Sequence, residues 1–412
     1  MAHGTCETAG CFAIYHLPFH IQADAVIGLV TDPDCMARKL KSDKLLFTAT
    51  LLLVGISLVM VYSASAVMAM EADRAPSYYL FKQSTWAVIG LGFVAIVMRI
   101  DYRNYRQPMI VWSMLGVVCV ALVVVLFGRP VNGASRWLGF GSLGVQPSEL
   151  AKIAVILCTA YFLERRMDRI DDVAYSLAPI GVIVGVIVAL IVVEPDLGTA
   201  VTVLMISAVM VFAAGLNYTY IVGLLLTLVP AGYLLIATSE YRMKRVHAFM
   251  DPNSDPLGDG YQMIQAMIAV GTGGVTGRGL MDGVQKLFYL PEPHNDFIFG
   301  VIGEELGLIG TTVVVACFCV IAWRGLRTAL RAPDRFGAFL AIGLTTMVTF
   351  QAFFNISVVL GLLPTKGIPL PFVSAGGSSL LINMIGMAVL LNVSQHASPA
   401  QVVTINMGPP GR

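Results

Sequence analysis

Long apolar stretches separated by short polar segments follow one another along this chain from residue 45 to residue 395. A helix that spans a bilayer needs roughly 20 mainly apolar residues, and most of these stretches approach or reach that length. They are Leu45–Met68, Tyr79–Met98, Met109–Phe127, Ser148–Phe162, Leu177–Val193, Thr199–Ala214, Tyr220–Thr238, Phe297–Trp323, Phe336–Leu362 and Ser378–Val393. The pattern therefore predicts an all-α polytopic membrane protein with about ten transmembrane helices.

The composition agrees with a membrane protein. Of the 412 residues, 57% are hydrophobic and 12% are charged, whereas soluble domains carry about 25% charged residues. The formal net charge of +1 predicts no nucleic-acid partner, because such a partner requires a basic surface. The seven cysteines are scattered, mostly in apolar stretches, so no disulfide framework is indicated.

The distribution of basic residues orients the helices. With the N-terminus inside the cell, fifteen Lys and Arg residues lie in cytoplasmic segments and five in the short outer loops, as the positive-inside rule requires. Both termini are therefore predicted to be cytoplasmic. A long outer loop, residues 239–295, then separates the seventh and eighth helices, and it contains an amphipathic stretch, Tyr261–Gly271, that is too short to span.

Three parts of the chain are predicted: a cytoplasmic N-terminal segment (1–44), the ten-helix membrane domain (45–395) and a cytoplasmic tail (396–412). Residues 1–35 differ from the rest and lack the features of a signal peptide. Because Met36 begins a basic stretch that leads into the first helix, we expect residues 1–35 to be an upstream extension or a miscalled start without function. Their Cys and His residues lack the spacing of a zinc finger.

Polar side chains within the predicted spans are candidates for function, because charge at membrane depth costs about 2.5 kcal/mol or more. Glu149 and Lys152 lie three residues apart on one helix face, which fits either an intrahelical ion pair or a role in substrate binding. Asp196, in the turn before the sixth helix, fits either an N-cap or a supporting site residue. Gln351 and Asn355 lie four residues apart in the ninth helix and predict interhelical hydrogen bonds.

The strongest local signal is the segment Pro291–Phe299, which closes the long loop and opens the eighth helix. Beside a functional role, Asn295 or Asp296 would suit the N-cap of that helix. A helix N-terminus also favours a carboxylate and would lower its pKa. Glu304 and Glu305 follow about 12–14 Å deeper at 1.5 Å per residue. Two adjacent carboxylates at that depth need partners or protons.

The sequence also indicates an anion site on the same side of the membrane as the segment Pro291–Phe299. Prolines prevent a continuous helix between residues 363 and 379, and glycines and serines there leave backbone N–H groups free. With Lys366 and Arg136, this chemistry suits a pyrophosphate. No P-loop or HExxH motif occurs, so no cofactor is predicted, although a bound divalent cation would be an alternative source of positive charge.

These motifs together resemble those of the SEDS family (shape, elongation, division and sporulation). The resemblance rests on NGASRWL at 132–138 with QPSELAK at 146–152, EPDLGTA at 194–200, PEPHNDFIFGVIGEELGLIG at 291–310 and NISVVLGLLPTKGIPLPFVSAGGSS at 355–379. The last two motifs look more like the division branch of the family than the elongation branch. Residues 1–35 match nothing in the family.

The resemblance implies a peptidoglycan glycosyltransferase that polymerises lipid II at the outer face of the bacterial cytoplasmic membrane, during septal wall synthesis. It places the essential aspartate of the family at Asp296, the candidate general base. We predict that substrate is bound by Arg136, Lys366, Glu149, Lys152, His294 and Ser378, with support from Asp196, Glu304, Glu305, Gln351 and Asn355. The implied partners are a class B penicillin-binding protein, which is a transpeptidase, and other membrane proteins of the divisome.

Two other functions fit the same pattern. Ten helices with charge at membrane depth would suit a flippase for lipid-linked precursors, although no inverted repeat is visible. A non-catalytic divisome scaffold would keep the fold, but the presence of Asp296, Glu149 and Lys366 favours an enzyme. Growth of glycan chains by the purified protein would distinguish the enzyme from both alternatives.

Overall fold

The computed structural model describes residues 42–128, 136–139, 144–170, 172–258, 260–365 and 367–397. These residues are almost entirely helical, and the one extended pairing among them is an antiparallel bridge between Leu138 and Val145. The α-helices of this part are α1 (Lys44–Glu71), α2 (Tyr78–Val97), α3 (Pro108–Leu126), α4 (Pro147–Arg166), α5 (Ala178–Val193), α6 (Leu197–Ala213), α7 (Tyr218–Ala237), α8 (Glu240–Met250), α9 (Tyr261–Gly273), α10 (Ile298–Leu330), α11 (Arg335–Val359) and α12 (Gly377–His396).

Every predicted span coincides with a helix, although α10 runs on to Leu330. Within the described residues, seven helices are long and apolar enough to cross a membrane by themselves: α1, α2, α3, α5 with the π-helical turn before it, α10, α11 and α12. Helix α6 is apolar but has 17 residues, and α4 carries charged side chains near both ends. The polytopic membrane architecture is confirmed, while the total of ten spans stays a prediction.

Helix α4 lies inside the bundle. Its side chains are buried along almost its whole length, and it packs against α3, α5, α6, α11 and α12. Helix α3, by contrast, exposes Met109, Trp112 and Val117 on a surface that suits lipid. Because protein rather than lipid surrounds α4, this helix can hold Glu149 and Lys152 at membrane depth.

Two polar contacts between the antiparallel helices α1 and α10 are about as far apart as a bilayer core is thick. At one end the Asp43 carboxylate lies 2.5 Å from the Arg324 guanidinium, and at the other the Ser63 hydroxyl donates to the Glu305 carboxylate at 2.7 Å. Twenty residues of α1 and nineteen of α10 separate these contacts, which corresponds to about 30 Å at 1.5 Å per residue. The hydrocarbon core of a bilayer is also about 30 Å thick, and we infer that its two boundaries lie at these two contacts.

The segment between α9 and α10 folds back onto α10, and we call residues 274–290 the docked loop. Helix α10 is interrupted at Gly307, whose φ of 64° and ψ of −159° are open essentially to glycine alone. The N–H groups of Leu308 and Ile309 donate to the carbonyls of Gly274 and Val275 at 2.9 and 3.2 Å. The docked loop therefore supplies the acceptors that the interrupted helix lacks.

Two adjacent carboxylates of α10, Glu304 and Glu305, hold the rest of the docked loop. Glu304 accepts hydrogen bonds from the backbone N–H groups of Val284 at 2.8 Å and Gln285 at 3.1 Å. Glu305 accepts a hydrogen bond from the ammonium of Lys286 at 2.6 Å, and both side chains are buried. The partners that these carboxylates need thus come from the docked loop, which precedes α10 in the chain.

Replacing Gly307 by alanine should destabilise the protein. A Cβ at this position would lie 2.3 Å from the Gly277 backbone nitrogen and would force a conformation that other residues avoid. We expect a loss of about 2 kcal/mol or more in the free energy of unfolding, detected as a lower unfolding temperature in detergent. Gly116→Ala is the matched control, because a Cβ at that helical position meets nothing within 4 Å. Equal unfolding temperatures for the two variants would contradict this role of the interruption.

Candidate functional site

Asp296 lies in the short segment between the docked loop and α10, and its side chain is partly exposed. Helix α10 begins at Ile298, and its N-cap residue is Phe297, without a side-chain capping bond. The expectation that Asn295 or Asp296 caps this helix is therefore wrong. The physical reason is that the Asn355 side chain donates to the Asp296 carbonyl at 2.8 Å and holds this residue outside the first helical turn.

The connection between α11 and α12 passes against the chain around Asp296. The Ser374 hydroxyl donates to the Asn295 carbonyl at 2.6 Å. Gly367 lies so close that a Cβ there would be 2.7 Å from the Asp296 carboxylate. Backbone contacts therefore fix Asp296 in place, and a glycine leaves room beside its carboxylate.

The electrostatic surroundings of Asp296 suit proton transfer. Burial raises the pKa of Asp296 to about 6, and the nearby Glu292 carboxylate contributes to the rise. The expectation that the helix N-terminus lowers this pKa is therefore wrong, because burial outweighs the effect of a helix that begins only at Ile298. The guanidinium groups of Arg245 and Arg136 act in the opposite direction and favour the charged form. A carboxylate with this pKa is mostly ionised at neutral pH but more basic than an exposed aspartate. It is therefore suited to act as a general base.

The turn between α5 and α6 brings Arg136 and Asp196 within electrostatic range of Asp296. Arg136 donates from Nε to the carbonyl of Glu194 at 3.2 Å and from Nη2 to that of Pro195 at 2.6 Å. Asp196 is the N-cap of α6, which is one of the two interpretations of this residue. The turn thus holds the Arg136 guanidinium with two of its five N–H donors, and the part of the chain that the structure describes gives the others no partner.

Glu194 is absent from the predicted site residues, yet it is the most unusual carboxyl of this turn. It is 1% exposed, and neither carboxyl oxygen has a hydrogen-bond partner in the described part of the chain. Burial raises the pKa of Glu194 to about 8; the Asp196 charge adds to the rise, and Arg136 opposes it. Glu194 is therefore mostly protonated at neutral pH, which removes a negative charge from the vicinity of Arg136.

Glu149 and Lys152 form an intrahelical ion pair of 2.8 Å in α4. Lys152 is fully buried and also donates to the Gln351 side chain at 3.0 Å. Gln351 lies one turn before Asn355, the residue that binds the Asp296 carbonyl. Helix α11 therefore contacts α4 through Gln351 and the backbone of Asp296 through Asn355.

The other predicted substrate-binding residues have less direct links to Asp296. His294 is buried, its ring lies 4.9 Å from the ring of Tyr79, and its Nδ1 has no hydrogen-bond partner among the described residues. The Ser378 hydroxyl at the start of α12 is also buried, and the described residues give it no partner either. Lys366 lies outside the described residues, as does the segment 132–135 of the NGASRWL motif.

The described residues do not form a metal-binding cluster. Within the described ranges, no three His, Cys, Asp or Glu side chains converge in an arrangement that would hold an ion. A divalent cation as an alternative source of positive charge therefore stays a prediction from the sequence. The cationic groups that act on Asp296 here are Arg136 and Arg245.

The sequence pattern does not single out Arg245 or Lys286. Arg245 lies in α8 and donates from Nη1 to the Thr365 carbonyl at 3.1 Å. Its stretch is basic and only mildly apolar, and this pattern does not indicate where α8 lies in the fold. Lys286 lies in a segment without helical or strand periodicity, so its burial depends on the docking of the loop.

Comparison with known sequences identifies the family. The family model described as Cell cycle protein (FTSW_RODA_SPOVE) matches residues 43–399. The chain is 43% identical over 356 residues to the probable peptidoglycan glycosyltransferase FtsW of Geobacter metallireducens, which covers 85% of this chain and 94% of that protein. It is 41% identical over 365 residues to the stage V sporulation protein E of Bacillus subtilis, which covers 87% of this chain and 99% of that protein.

A solved structure has the same fold. It is described as "Structural coordination of polymerization and crosslinking by a peptidoglycan synthase complex". One of its chains matches 86% of this chain and 97% of its own length, with a TM-score of 0.72 and 30% sequence identity. The matches to sequences and to this structure cover nearly the whole membrane domain, and this chain therefore belongs to the FtsW/RodA/SpoVE family of cell cycle proteins.

Proposed function

We propose that this protein is a peptidoglycan glycosyltransferase that polymerises lipid II at the outer face of the cytoplasmic membrane, with Asp296 as the general base. The family and the names of its relatives support the activity. The observation that supports the assignment of the base is the carboxylate of Asp296, with a pKa of about 6, in the field of two arginine side chains.

The reaction joins two sugars and releases a lipid pyrophosphate. The 4-hydroxyl oxygen of the acceptor sugar attacks the anomeric carbon of the donor, and the bond from that carbon to the pyrophosphate breaks. The Asp296 carboxylate accepts the hydroxyl proton, a contribution of typically about 10²–10⁴-fold in rate. Undecaprenyl pyrophosphate leaves with the electron pair of the broken bond on its phosphate oxygen. Arg136, Arg245 and the predicted Lys366 would stabilise that charge.

The depth of Asp296 supports a substrate that is attached to a membrane lipid. Glu305 marks one boundary of the hydrocarbon core, and Ile298 lies seven residues nearer to the helix start, or about 10 Å beyond that boundary. The headgroup layer on each face of a bilayer is about 5–8 Å thick. Asp296 therefore lies where the sugar phosphates of a lipid-linked precursor would be presented.

The surroundings of Asp296 also favour transfer to a sugar rather than to water. Partial burial limits the access of water, and the contacts from Asn355 and Ser374 hold the base in one position. The protonated Glu194 leaves the positive charge of Arg136 available for the anionic leaving group. The ion pair of α4 supports this arrangement through its contact with α11.

We further propose that a class B penicillin-binding protein and other divisome membrane proteins are partners, that the protein acts at the division septum, and that both termini are cytoplasmic. The similarity to a chain of a peptidoglycan synthase complex supports a crosslinking partner. The described chain consists mostly of apolar helices and their connecting segments, so we expect a partner to contact membrane faces and outer loops.

Asp296→Asn should abolish lipid II polymerisation by the purified protein and leave folding unchanged. Asparagine has the same shape but cannot accept the proton, and no capping bond is lost because Asp296 does not cap α10. Size-resolved glycan products measure the effect, and the unfolding temperature controls for folding. Normal chain growth by the variant would contradict the assignment. Lipid translocation without chain growth by the parent protein would favour a flippase instead.

The rate of polymerisation at low lipid II concentration should rise as the pH is raised through about 6, because Asp296 acts only after it has lost its proton. Above a pH of about 8 the rate should fall, because Glu194 ionises beside Asp196 and weakens the positive field of Arg136. Glu194→Gln removes this ionisable group, so the fall at high pH should disappear while the rise near 6 stays.

The rise of the rate near pH 6 tests the role of Asp296, and the fall above about pH 8 tests the role of Glu194. A rate that is flat between about pH 5 and pH 7 would exclude Asp296 as the base. A fall at high pH that is the same in Glu194→Gln and in the parent protein would show that Glu194 has no part in it.

A class B penicillin-binding protein should raise the polymerisation rate when the two proteins are reconstituted together. The long outer segment 239–295 directly precedes Asp296, so contact with it could order the base. Such coupling requires two states of the segment with different affinity for the partner. Rates measured at several partner ratios test this. A rate that stays constant while the two proteins co-purify would rule out activation.

A further inference from the structure

The docked loop exposes a run of large apolar side chains. Leu280, Met281, Leu287, Phe288 and Tyr289 are 39–56% exposed, and we call these five residues the apolar rim. Isolated exposed apolar residues are ordinary, but a group of them within one short segment marks an interaction surface. The depth and charge of the loop indicate what covers this surface.

The charged side chains of the docked loop leave its outer surface nearly neutral. Lys286 is buried against Glu305, and the Arg278 guanidinium lies 3.4 Å from the Glu304 carboxylate. Asp282 is the only acidic residue in the sequence of this loop. A surface of this kind suits lipid better than it suits water or a strongly charged protein.

The depth of the docked loop follows from its attachments to α10. The contact of Glu305 with Ser63 marks one boundary of the hydrocarbon core, about 30 Å from the contact of Asp43 with Arg324. The loop is hydrogen-bonded to α10 through residues 304–309, by backbone and side chain. Its attachments therefore lie within about one helical turn of that boundary.

The docked loop also adjoins the lipid-facing surface of α10. Leu308 and Ile309, the first residues after the interruption, are 60% and 58% exposed. Their N–H groups bind the loop backbone at Gly274 and Val275, and the Val275 side chain is 63% exposed. A lipid chain that contacts Leu308 and Ile309 therefore also meets the docked loop.

We propose that the apolar rim is a lipid-binding surface that lies among the headgroups and upper acyl carbons of the leaflet nearest to Asp296. Aromatic and apolar side chains such as Phe288 and Tyr289 are typical of segments anchored in this interface. The segment Pro291–Phe297 follows the rim directly and carries Asp296. Insertion of the rim therefore also fixes the height of the base above the membrane, whatever reaction the base performs.

Tryptophan fluorescence of the full chain in vesicles tests this placement. Phe288→Trp is reconstituted in phosphatidylcholine–phosphatidylglycerol vesicles with and without bromine on the upper acyl carbons. The emission of the parent protein, which has four tryptophans, is subtracted. Ile309→Trp is the reference within the bilayer. Glu71→Trp is the reference outside it, because residue 71 lies eight residues of α1, or about 12 Å, beyond Ser63.

Brominated lipid should quench the Phe288→Trp signal to within about twofold of the Ile309→Trp signal and at least about fivefold more than the Glu71→Trp signal. Acrylamide in the water should give the opposite order. Strong acrylamide quenching without an effect of bromine would overturn the proposal. Protection that develops only after a class B penicillin-binding protein is added would assign the rim to that protein and would also overturn it.

A variant that fails to fold does not leave the proposal untested. Unfolding temperatures equal to that of the parent protein show that each variant is folded. Tyr289→Trp lies at the neighbouring rim position and replaces one aromatic ring by another, so it serves as the second probe. We expect the same quenching pattern from Tyr289→Trp. Strong acrylamide quenching without an effect of bromine, or protection only in the presence of the penicillin-binding protein, would overturn the proposal here too.

Discussion

The buried contact between Glu305, Ser63 and Lys286 is the interaction on which the half of this structure that contains Asp296 depends. A carboxylate at the edge of the hydrocarbon core is stable only if it is paired and hydrogen-bonded. Ser63 comes from α1 and Lys286 from the docked loop, so satisfying one charge joins three segments of the chain. Glu304 does the same for the backbone of the loop. The position of the loop is therefore a consequence of where α10 places these two carboxylates.

Two kinds of carboxyl group occur in the described chain: some pair with a lysine, and others have a raised pKa. Glu149 is neutralised by Lys152 and Glu305 by Lys286, each within hydrogen-bond distance. Asp296 and Glu194 instead have raised pKa values, because burial is not fully compensated by the arginines nearby. Keeping such groups has a cost in stability, and perturbed carboxyl groups of this kind concentrate at functional sites. The two carboxyl groups whose protonation changes near neutral pH thus lie on the same side of the membrane as the docked loop.

The helices could be predicted from the sequence, because apolar length alone determines where a chain can cross a bilayer. The pairing of Glu149 with Lys152 could also be predicted, since both lie on one helix face. The resemblance to a family led to Asp296, which its local pattern leaves open between capping and catalysis. The structure decides against capping, because Asn355, on a helix distant in sequence, binds the Asp296 carbonyl. Contacts between residues so far apart in the chain leave no periodic pattern in the sequence.

The docked loop could not be predicted, for a related reason. Its position depends on the interruption at Gly307, and a single glycine within a long apolar stretch has no fixed meaning in a sequence. Lys286 lies in a loop segment of the sequence, and it is buried because the interruption admits this loop beside Glu305. Sequence reasoning is strongest for local constraints and weakest where one backbone conformation determines a distant contact.

An uninterrupted α10 would have no free backbone groups at the boundary of the hydrocarbon core, and a polar loop could not lie against it there. The conformation of Gly307 changes this, because it frees the N–H groups of Leu308 and Ile309 for the docked loop. The loop leads directly into the segment that carries Asp296, so the same interruption that is set by the membrane boundary also sets the height of the candidate base. A lipid-linked substrate is held at a fixed height by its own anchor in the bilayer. The membrane surface then fixes the height of both the candidate base and the substrate. This lowers the entropic cost of bringing the two together.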